Sequence, residues 1–202
     1  MIDIYTFITP NGYKALIAAE EFGIDYSIRW IDISKGQQLE PAFLAVNPNN
    51  KIPAIVDHET NTTVFESGAI LVYLAEKLGR FLPKAGPERY EVLEWVFFQV
   101  GGTGPMIGQL GHFVKFAKEK IPYAIDRYTT ETKRLLAVLD KRLGEAPYLG
   151  GTDYSIADMI NVTWARAAGN YAIDLATYGN LSRWLHDVEA RPAVKKALAL
   201  KP

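Results

Sequence analysis

The stretch that decides the fold lies in the first half of the chain and reads Asn49-Asn50-Lys51-Ile52-Pro53-Ala54-Ile55-Val56-Asp57. Proline donates no backbone hydrogen bond, so Pro53 predicts the start of the short apolar strand that follows it. An X-Pro bond at such a position can be cis, which would turn the backbone of Ile52 outward. A ligand could then pair with Ile52 as though it were an added strand.

A second short motif, Glu66-Ser67-Gly68, opens a run of residues with helical periodicity. The first backbone N–H groups of a helix have no partner within the helix, so this helix start can hold a carboxylate. Two backbone elements that both face a ligand indicate a site for a small charged peptide. Taken alone, however, a strand led by proline is more often part of the architecture than part of a binding site.

Composition excludes several classes of function. The chain has 202 residues, of which 49% are hydrophobic and 22% charged, with a net charge of −1. A nucleic-acid binder would show a basic excess, which is absent here. No apolar run reaches the roughly 18 to 20 residues that span a bilayer. We therefore expect neither a nucleic acid nor a membrane as a partner.

The chain contains no cysteine, which excludes disulfides, thiolate metal sites and a protein thiol nucleophile. Its first residues lack the basic and apolar regions of a signal peptide, so we expect a cytoplasmic location. The three histidines, His58, His112 and His186, are scattered. We predict none of them as a metal ligand, and we expect no metal cofactor; His112 is the histidine that could face an active site.

Short strand-like and helical patterns alternate up to residue 80. They predict the order β-α-β-α-β-β-α, with strands at residues 2–7, 26–33, 54–56 and 62–65 and helices at residues 11–22, 39–46 and 68–78. The first helix should end at Gly23, which suits a left-handed cap. We expect the first two strands to be parallel through a helical crossover and the last two to form a hairpin.

Beyond a linker at residues 79–86, every pattern is helical. Helices are predicted at residues 88–100, 106–118, 123–143, 181–190 and 192–200, and one more follows Ser155. The run Gly101-Gly102-Thr103-Gly104-Pro105 should kink or break its helix. Ser155-Ile156-Ala157-Asp158 resembles a capping box with Asp in place of Glu, worth about 1 kcal/mol for folding rather than for chemistry.

Motifs from the whole length of the chain point to one family. Asn49 to Pro53, Phe65 to Ile70 and Tyr154 to Asp158 together resemble a glutathione transferase. Thr9-Pro10-Asn11-Gly12, together with Gly36-Gln37-Gln38 and the run from Gln99 to Met106, is similar to the Nu class, which includes bacterial glutathione-dependent disulfide-bond oxidoreductases. The resemblance implies an α/β plus all-α fold: an N-terminal thioredoxin-like βαβαββα domain at residues 1–80 that binds glutathione, and an all-helical C-terminal domain at residues 87–202.

The resemblance implies a catalytic role for Thr9 and Asn11 at the start of the first helix, where family members generate the glutathione thiolate. A Thr hydroxyl or an Asn amide can donate a hydrogen bond to sulfur, and the helix start adds partial positive charge, so both lower the pKa of the thiol. Tyr5 is a rival, since many transferases use a tyrosine near the end of the first strand. A plain helix-capping role is the alternative for Thr9 and Asn11.

The resemblance also implies how glutathione is held. The backbone of Ile52, next to Pro53, should pair with the cysteinyl unit. Glu66 should face the ammonium of the γ-glutamyl end, while the N–H and hydroxyl of Ser67 should face its carboxylate.

Further residues are assigned to the two ends of the site. Lys51 and Gln38 are candidates for the glycyl carboxylate, and Arg127 aligns with an arginine that reaches glutathione in Nu-class relatives. Ordinary surface charge is the alternative for Lys51 and Arg127. Phe113 and Phe116 are the candidates for an acceptor pocket, although helical spacing of aromatic residues usually indicates core.

The resemblance predicts a glutathione-dependent thiol–disulfide oxidoreductase that takes glutathione, reduced or oxidised, as co-substrate. Because the protein has no cysteine, glutathione must supply every sulfur apart from those of the acceptor disulfide. Two alternatives stay open: a transferase that conjugates electrophiles or reduces peroxides, and a non-catalytic interaction module of the same fold. A homodimer is expected by analogy, with the first domain of one subunit against the second domain of the other.

Overall fold

A computed structural model describes residues 1–202 of the chain. The chain divides into two compact units. The first consists of Met1–Leu82 together with Arg191–Pro202, and the second of Pro83–Ala190.

The first unit is built on a mixed four-stranded sheet in the order β2-β1-β3-β4. Its elements are β1 (Ile2–Thr6), α1 (Pro10–Phe22), β2 (Tyr26–Trp30), α2 (Pro41–Leu44), β3 (Ala54–Asp57), β4 (Thr62–Phe65) and α3 (Ser67–Leu78). Strand β1 runs parallel to β2 and antiparallel to β3, which in turn pairs antiparallel with β4. The predicted order of elements, the parallel pair and the hairpin are therefore confirmed.

Local turn chemistry shortens the predicted second strand. It ends at Trp30, and two 3₁₀ turns, Ile33–Lys35 and Gln37–Leu39, follow it. The Asp32 carboxylate accepts a hydrogen bond from the Ser34 backbone N–H at 3.0 Å, which caps the first turn. Gly36 then takes the left-handed conformation with a φ of 77°. An aspartate cap followed by a left-handed glycine favours a turn over the extended backbone that the apolar residues suggested.

The core of the first unit lies beneath α1, which packs on α3. Leu16 and Ile17 of α1 and Ile70 and Leu71 of α3 are fully buried. Helix α1 ends at Gly23, which has a φ of 66° and whose backbone N–H bonds to carbonyls of the last turn. This confirms the predicted cap.

The last helix, α9 (Pro192–Ala199), packs against α1 in the first unit. The sequence prediction placed it in a second domain at residues 87–202. Two ion pairs hold it instead to α1: Arg191 donates to both oxygens of Glu21 at 2.6 and 2.8 Å, and Lys196 lies 2.8 Å from Glu20. A periodic pattern locates a helix, but its packing partner depends on contacts across most of the chain.

The second unit is helical. It contains α4 (Pro87–Phe98), α5 (Gly104–Gly111), α6 (Pro122–Glu145), α7 (Ile156–Ala167) and α8 (Gly179–Ala190). Helical winding continues past α4 through a π-helical segment, Gln99–Thr103, so the glycine-rich run does not break it. Pro105 falls in the first turn of α5, directly after the π-helical segment. None of these helices, nor any in the first unit, combines the length and apolar character needed to cross a bilayer.

The predicted capping box at the start of α7 is confirmed. Ser155 Oγ accepts a hydrogen bond from the Ala157 backbone N–H at 3.2 Å, and Asp158 Oδ2 accepts one from the Ser155 backbone N–H at 3.0 Å. The other oxygen of the Asp158 carboxylate accepts from the Leu149 backbone N–H at 3.0 Å and from Trp184 Nε1 at 2.8 Å. Burial raises the pKa of Asp158 to about 6, although these hydrogen bonds act in the opposite direction and lower it.

Candidate functional site

A cavity of about 280 Å³ lies at the start of α1. Seven residues line the cavity. Five of them are predicted site residues, namely Thr9, Asn11, Gln38, Lys51 and Ile52; the other two, Ile33 and Asn50, were not predicted. The residues come from the first turn of α1, the turns after β2 and the loop before β3. This cavity is the candidate site.

Thr9 caps α1 from an extended conformation, and its Oγ1 accepts a hydrogen bond from the Gly12 backbone N–H at 3.0 Å. Because one lone pair is occupied in this way, the hydroxyl proton of Thr9 is left to donate outward. Gly12 is required here, since a Cβ at this position would lie 1.9 Å from the Phe7 carbonyl oxygen. The tight turn thus presents a hydrogen-bond donor at a helix start.

The loop before β3 is held from inside the fold. Asn47, which is buried, donates from Nδ2 to the Lys51 carbonyl at 2.6 Å and accepts at Oδ1 from the Asn49 backbone N–H at 2.9 Å. The Ile52–Pro53 bond is cis, as the sequence allowed. Lys51 is exposed and Ile52 half-buried, so this segment offers both a side-chain charge and backbone groups to a ligand. Asn47 was not predicted.

Gln38 lies in the turn that the Asp32 and Gln37 contacts form. Gln37 Oε1 accepts from the Asp32 backbone N–H at 2.7 Å. Gln38 Oε1 is buried without a hydrogen-bond partner, and its residue lines the cavity. Its amide group is therefore available to a polar ligand.

Glu66 and Ser67 form the start of α3 but are not among the residues that line the cavity. Glu66 is exposed and has a φ of 70°, a conformation that side chains rarely adopt and that often marks ligand-binding segments. Ser67 is buried, and its Oγ accepts a hydrogen bond from Lys14 Nζ at 3.3 Å. Burial lowers the pKa of Lys14 to about 7, while the nearby Glu66 charge raises it.

Lys14 was not singled out from the sequence. A signal was present, since it shares a helix face with Ile17 and Ala18 at spacings of three and four residues. Both of those residues are fully buried.

A second cavity, of about 480 Å³, lies within the helical unit. It is lined by Met106, Tyr123, Asp126, Arg127, Tyr128, Thr130 and Glu131. Of the predicted residues it includes Arg127, which is exposed on α6.

The predicted acceptor residues Phe113 and Phe116 lie on the π-helical segment His112–Phe116 and are not among the residues lining this second cavity. Phe113 stacks on Tyr128 at 5.7 Å, and Phe116 is 67% exposed.

The remaining candidates lie apart from the cavities. Tyr5, the rival of Thr9, sits in β1 with its ring 6.0 Å from that of Phe43. His112 is exposed and contacts the edge of the Phe113 ring. No group of three or more His, Asp or Glu side chains is arranged to hold a metal ion.

Comparison with known proteins identifies the family of the chain. Residues 9–77 match the family model "Glutathione S-transferase, N-terminal domain", and residues 103–192 match "Glutathione S-transferase, C-terminal domain". The chain is 50% identical to the disulfide-bond oxidoreductase YfcG of Escherichia coli (strain K12), over 98% of this chain and 94% of that relative. The chain therefore belongs to the glutathione S-transferase family.

Solved structures of family members have the same fold. A glutathione transferase family member from Pseudomonas fluorescens Pf-5, crystallised with two glutathione bound, matches with a TM-score of 0.93 and 42% identity, over 98% of this chain and 92% of that one. A glutathione transferase from Pseudomonas putida, with one glutathione disulfide bound per subunit, matches with a TM-score of 0.94 and 38% identity, over 100% and 92%. The fold class is thus a thioredoxin-like α/β domain followed by a helical one.

Proposed function

We propose that this protein is a glutathione-dependent thiol–disulfide oxidoreductase of the Nu class that reduces small disulfides. The observation that carries the proposal is the Thr9 hydroxyl, which caps α1 while keeping its proton to donate at the rim of a cavity that Asn11 and Ile52 also line. A relative with half of its residues identical is a disulfide-bond oxidoreductase. The Thr9-Pro10-Asn11 start supports the narrower class.

The chemistry needs no protein thiol, and the chain has none. One glutathione thiolate attacks a sulfur of the acceptor disulfide, which forms a mixed disulfide and expels one acceptor thiolate. A second glutathione thiolate attacks the glutathione sulfur of the mixed disulfide, which forms glutathione disulfide and expels the other acceptor thiolate. The two protons lost by the two glutathione thiols end on the two acceptor thiols, so two glutathiones are oxidised for each disulfide reduced.

Thr9 and Asn11 act by stabilising negative charge on sulfur. A donated hydrogen bond and the partial positive charge of the α1 start both favour the thiolate over the thiol. The first turn of α1 contains no acidic residue, so no carboxylate of the helix start itself competes for that charge.

The predicted ligand contacts extend the proposal along the peptide. We assign the Ile52 backbone to the cysteinyl unit, Lys51 and Gln38 to the glycyl carboxylate, and Glu66 and Ser67 to the γ-glutamyl end. The roles of Arg127, Phe113 and Phe116 stay predictions. Crystals of relatives that hold two glutathiones or one glutathione disulfide support a site with room for the two sulfurs that the second step requires.

We further propose a homodimer in the cytoplasm, with residues 1–80 as the glutathione-binding domain and a helical domain that begins at residue 87; α9, at the end of the predicted range 87–202, packs on α1 of the first unit. Helix α4 exposes Tyr90 and Phe97 by 66% and 65%, and their spacing of seven residues places both on one face. An exposed aromatic face of this kind suits a contact between subunits. Light scattering after gel filtration should give twice the chain mass, and Phe97→Glu should shift the protein toward the monomer.

The test of the activity is the reduction of 2-hydroxyethyl disulfide by glutathione, run beside conjugation of glutathione to chlorodinitrobenzene. We expect strong disulfide reduction and weak conjugation, with the reduction lost in Thr9→Ala and Asn11→Ala and largely kept in Thr9→Ser, which retains the hydroxyl. Strong conjugation with little reduction would assign the protein to ordinary transferases. Neither activity, with no retention on a glutathione resin, would favour a non-catalytic module.

A further inference from the structure

Asn47 is a polar residue that the fold buries almost completely, in the loop between α2 and β3. Only 1% of it is exposed, and it is not among the residues that line the cavity at the start of α1. Three residues that do line this cavity, Asn50, Lys51 and Ile52, follow it within five positions. Because a buried amide is costly unless its polar atoms are paired, the partners of Asn47 show what it holds in place.

The polar groups of Asn47 are all paired with the backbone of the chain. Its N–H donates to the Phe43 carbonyl at 2.8 Å, and its own carbonyl accepts from the Asn50 N–H at 3.1 Å. Its side-chain Oδ1 accepts from the Asn49 N–H at 2.9 Å, and its Nδ2 donates to the Lys51 carbonyl at 2.6 Å. One residue therefore ties α2 to three successive residues of the loop.

The contact with Lys51 goes beyond the bond that an asparagine makes in an ordinary turn. In such a turn the side-chain oxygen accepts from the N–H two residues further on, as Asn47 does from Asn49. The bond from Nδ2 is additional. Asn50 takes the left-handed conformation with a φ of 50°, which reverses the chain so that the Lys51 carbonyl reaches Nδ2. A carboxamide suits this position because it carries a donor and an acceptor at the same end.

The direction of the Lys51 carbonyl decides where the next N–H points. The Lys51–Ile52 bond is trans, and a trans peptide is planar with its C=O and its N–H on opposite sides. Because the Lys51 carbonyl is turned toward the buried Asn47, the Ile52 N–H is turned away from it. The hydrogen bonds of the protein itself leave this N–H free. It is therefore a donor available to a ligand, on a residue that lines the cavity.

We propose that Asn47 is a positioning residue for the candidate site, in that its carboxamide holds the Lys51 carbonyl inward and so keeps the Ile52 N–H aimed at the ligand. The inference rests on the proposed function, which assigns the Ile52 backbone to the cysteinyl unit of glutathione. Since an N–H only donates, its partner in that unit is the cysteinyl carbonyl oxygen. Asn47 does not touch the ligand and acts through the backbone of the loop.

Two variants separate the side-chain contacts of Asn47. Asn47→Ala removes both, whereas Asn47→Ser keeps an oxygen that can accept from the Asn49 N–H, as serine does in the equivalent turn. The serine side chain ends one bond short of the atom that reaches Lys51. Calorimetry with S-methylglutathione, whose blocked sulfur cannot titrate, should give a dissociation constant raised by about 10-fold in both variants. Wild-type affinity in either variant would overturn the proposal.

Two control variants distinguish positioning from stability. Asn161, which is also buried, donates from Nδ2 to the Trp95 and Ala157 carbonyls at 2.9 Å in the second unit. Asn161→Ala should therefore lose stability much as Asn47→Ala does, yet bind S-methylglutathione as the wild type does. Asn49→Ala, which removes an exposed side chain from the same loop, should also keep wild-type affinity. Equally weakened binding in Asn161→Ala would reduce Asn47 to a structural role.

A measurement on the wild type needs no variant. Hydrogen exchange of the Ile52 amide, followed by NMR, should be fast in the free protein, and saturating S-methylglutathione should slow it by about 10-fold or more. The same ligand at saturation should slow it by a smaller factor in Asn47→Ser, because the Lys51–Ile52 peptide is then free to turn. The wild-type readout stays decisive if the Asn47 variants fail to fold.

The outcomes separate the two proposals. If the wild type does not bind S-methylglutathione, the proposed function fails. If the wild type binds it while the Ile52 amide stays unprotected, or if the Asn47 variants keep wild-type affinity, the inference about Asn47 is wrong while the proposed function stands.

Discussion

Two helices of this protein begin with the same capping chemistry in different surroundings. At the start of α1, Thr9 Oγ1 accepts a hydrogen bond from a backbone N–H of the first turn at 3.0 Å, and at the start of α7, Ser155 Oγ does the same at 3.2 Å. Thr9 is half-buried at the rim of a cavity, whereas Ser155 is buried. The α7 start also has Asp158 in its first turn, while the α1 start has no acidic residue there.

This difference shows what turns a helix cap into a candidate binding site. At α7 the chain supplies its own carboxylate, which accepts hydrogen bonds from Ser155, Leu149 and Trp184 and neutralises the partial positive charge of the helix start. At α1 the partial charge and the Thr9 proton are left for something outside the chain. One helix start is complete within the protein, and we propose that the glutathione thiolate completes the other.

The largest effect should come from removing the carboxylate at the start of α7. Asp158→Ala leaves the Leu149 and Ser155 backbone N–H groups and Trp184 Nε1 without their acceptor, and each buried donor left unsatisfied costs about 1–3 kcal/mol. We expect the free energy of unfolding in urea to fall by about 3–5 kcal/mol. Asp153→Ala, in the exposed loop before α7, should change it by less than about 0.5 kcal/mol. A loss below about 1 kcal/mol at Asp158 would contradict the account of α7.

Removing the cap of α1 should instead act on activity. Thr9→Ala should lower kcat/KM for disulfide reduction by about 10²–10³, the range found when one donor to a developing negative charge is removed. Its free energy of unfolding should fall by only about 1 kcal/mol. In contrast, Ser155→Ala should lose stability by a similar amount without losing activity per folded molecule. Equal losses of activity in Thr9→Ala and Ser155→Ala would contradict the difference between the starts of α1 and α7.

The start of α3 differs from that of α7 because a buried lysine, Lys14, lies next to it rather than a buried carboxylate. We therefore expect Lys14→Met to be more stable than the wild type at low pH. The pKa of Lys14, about 7 in the folded protein, is below its ordinary value, so between these two values the unfolded chain binds more protons and wild-type stability rises with pH. Below pH 7 the whole cost of burying the charge is present. We expect a gain of about 1–4 kcal/mol at pH 6, which shrinks toward pH 10.

Thermal and urea unfolding of Lys14→Met and the wild type across pH 6 to 10 measure this difference. Lys195→Met should show no comparable trend, because its side chain is exposed. A gain that does not vary with pH would mean that Lys14 keeps its proton in the folded protein throughout this range, so that folding does not lower its pKa.

The smallest effect on stability should come from giving α1 the carboxylate that α7 has. Asn11→Asp places a negative charge in the first turn of α1, which should stabilise the protein by about 0.3–1 kcal/mol through the helix dipole. The same charge should repel the glutathione thiolate and raise the pKa of the thiol, so disulfide reduction should fall even though the protein is more stable. A parallel fall in stability and activity would argue against competition between the carboxylate and the thiolate.

Features that depend on neighbours in the chain could be predicted from the sequence. The proline at the start of β3, the glycine cap of α1 and the Ser155–Asp158 box each involve residues within a few positions of one another, and each is confirmed. The βαβαββα order follows for the same reason, since periodicity and turn residues are local. The second strand ends three residues earlier than its apolar pattern predicts, because the turn chemistry of Asp32 and Gly36 outweighs the apolar character of Ile31 and Ile33.

Features that join distant parts of the chain could not be predicted in this way. The sequence by itself determined the elements, their caps and the set of residues at the α1 start, because backbone preferences and capping act over a few residues. Only the tertiary structure decided that α9 returns to α1 through Arg191 and Glu21, and that Lys14 lies beneath Ser67, 53 residues further along the chain. Burial of a charge depends on what packs around it, and packing is decided by the whole fold.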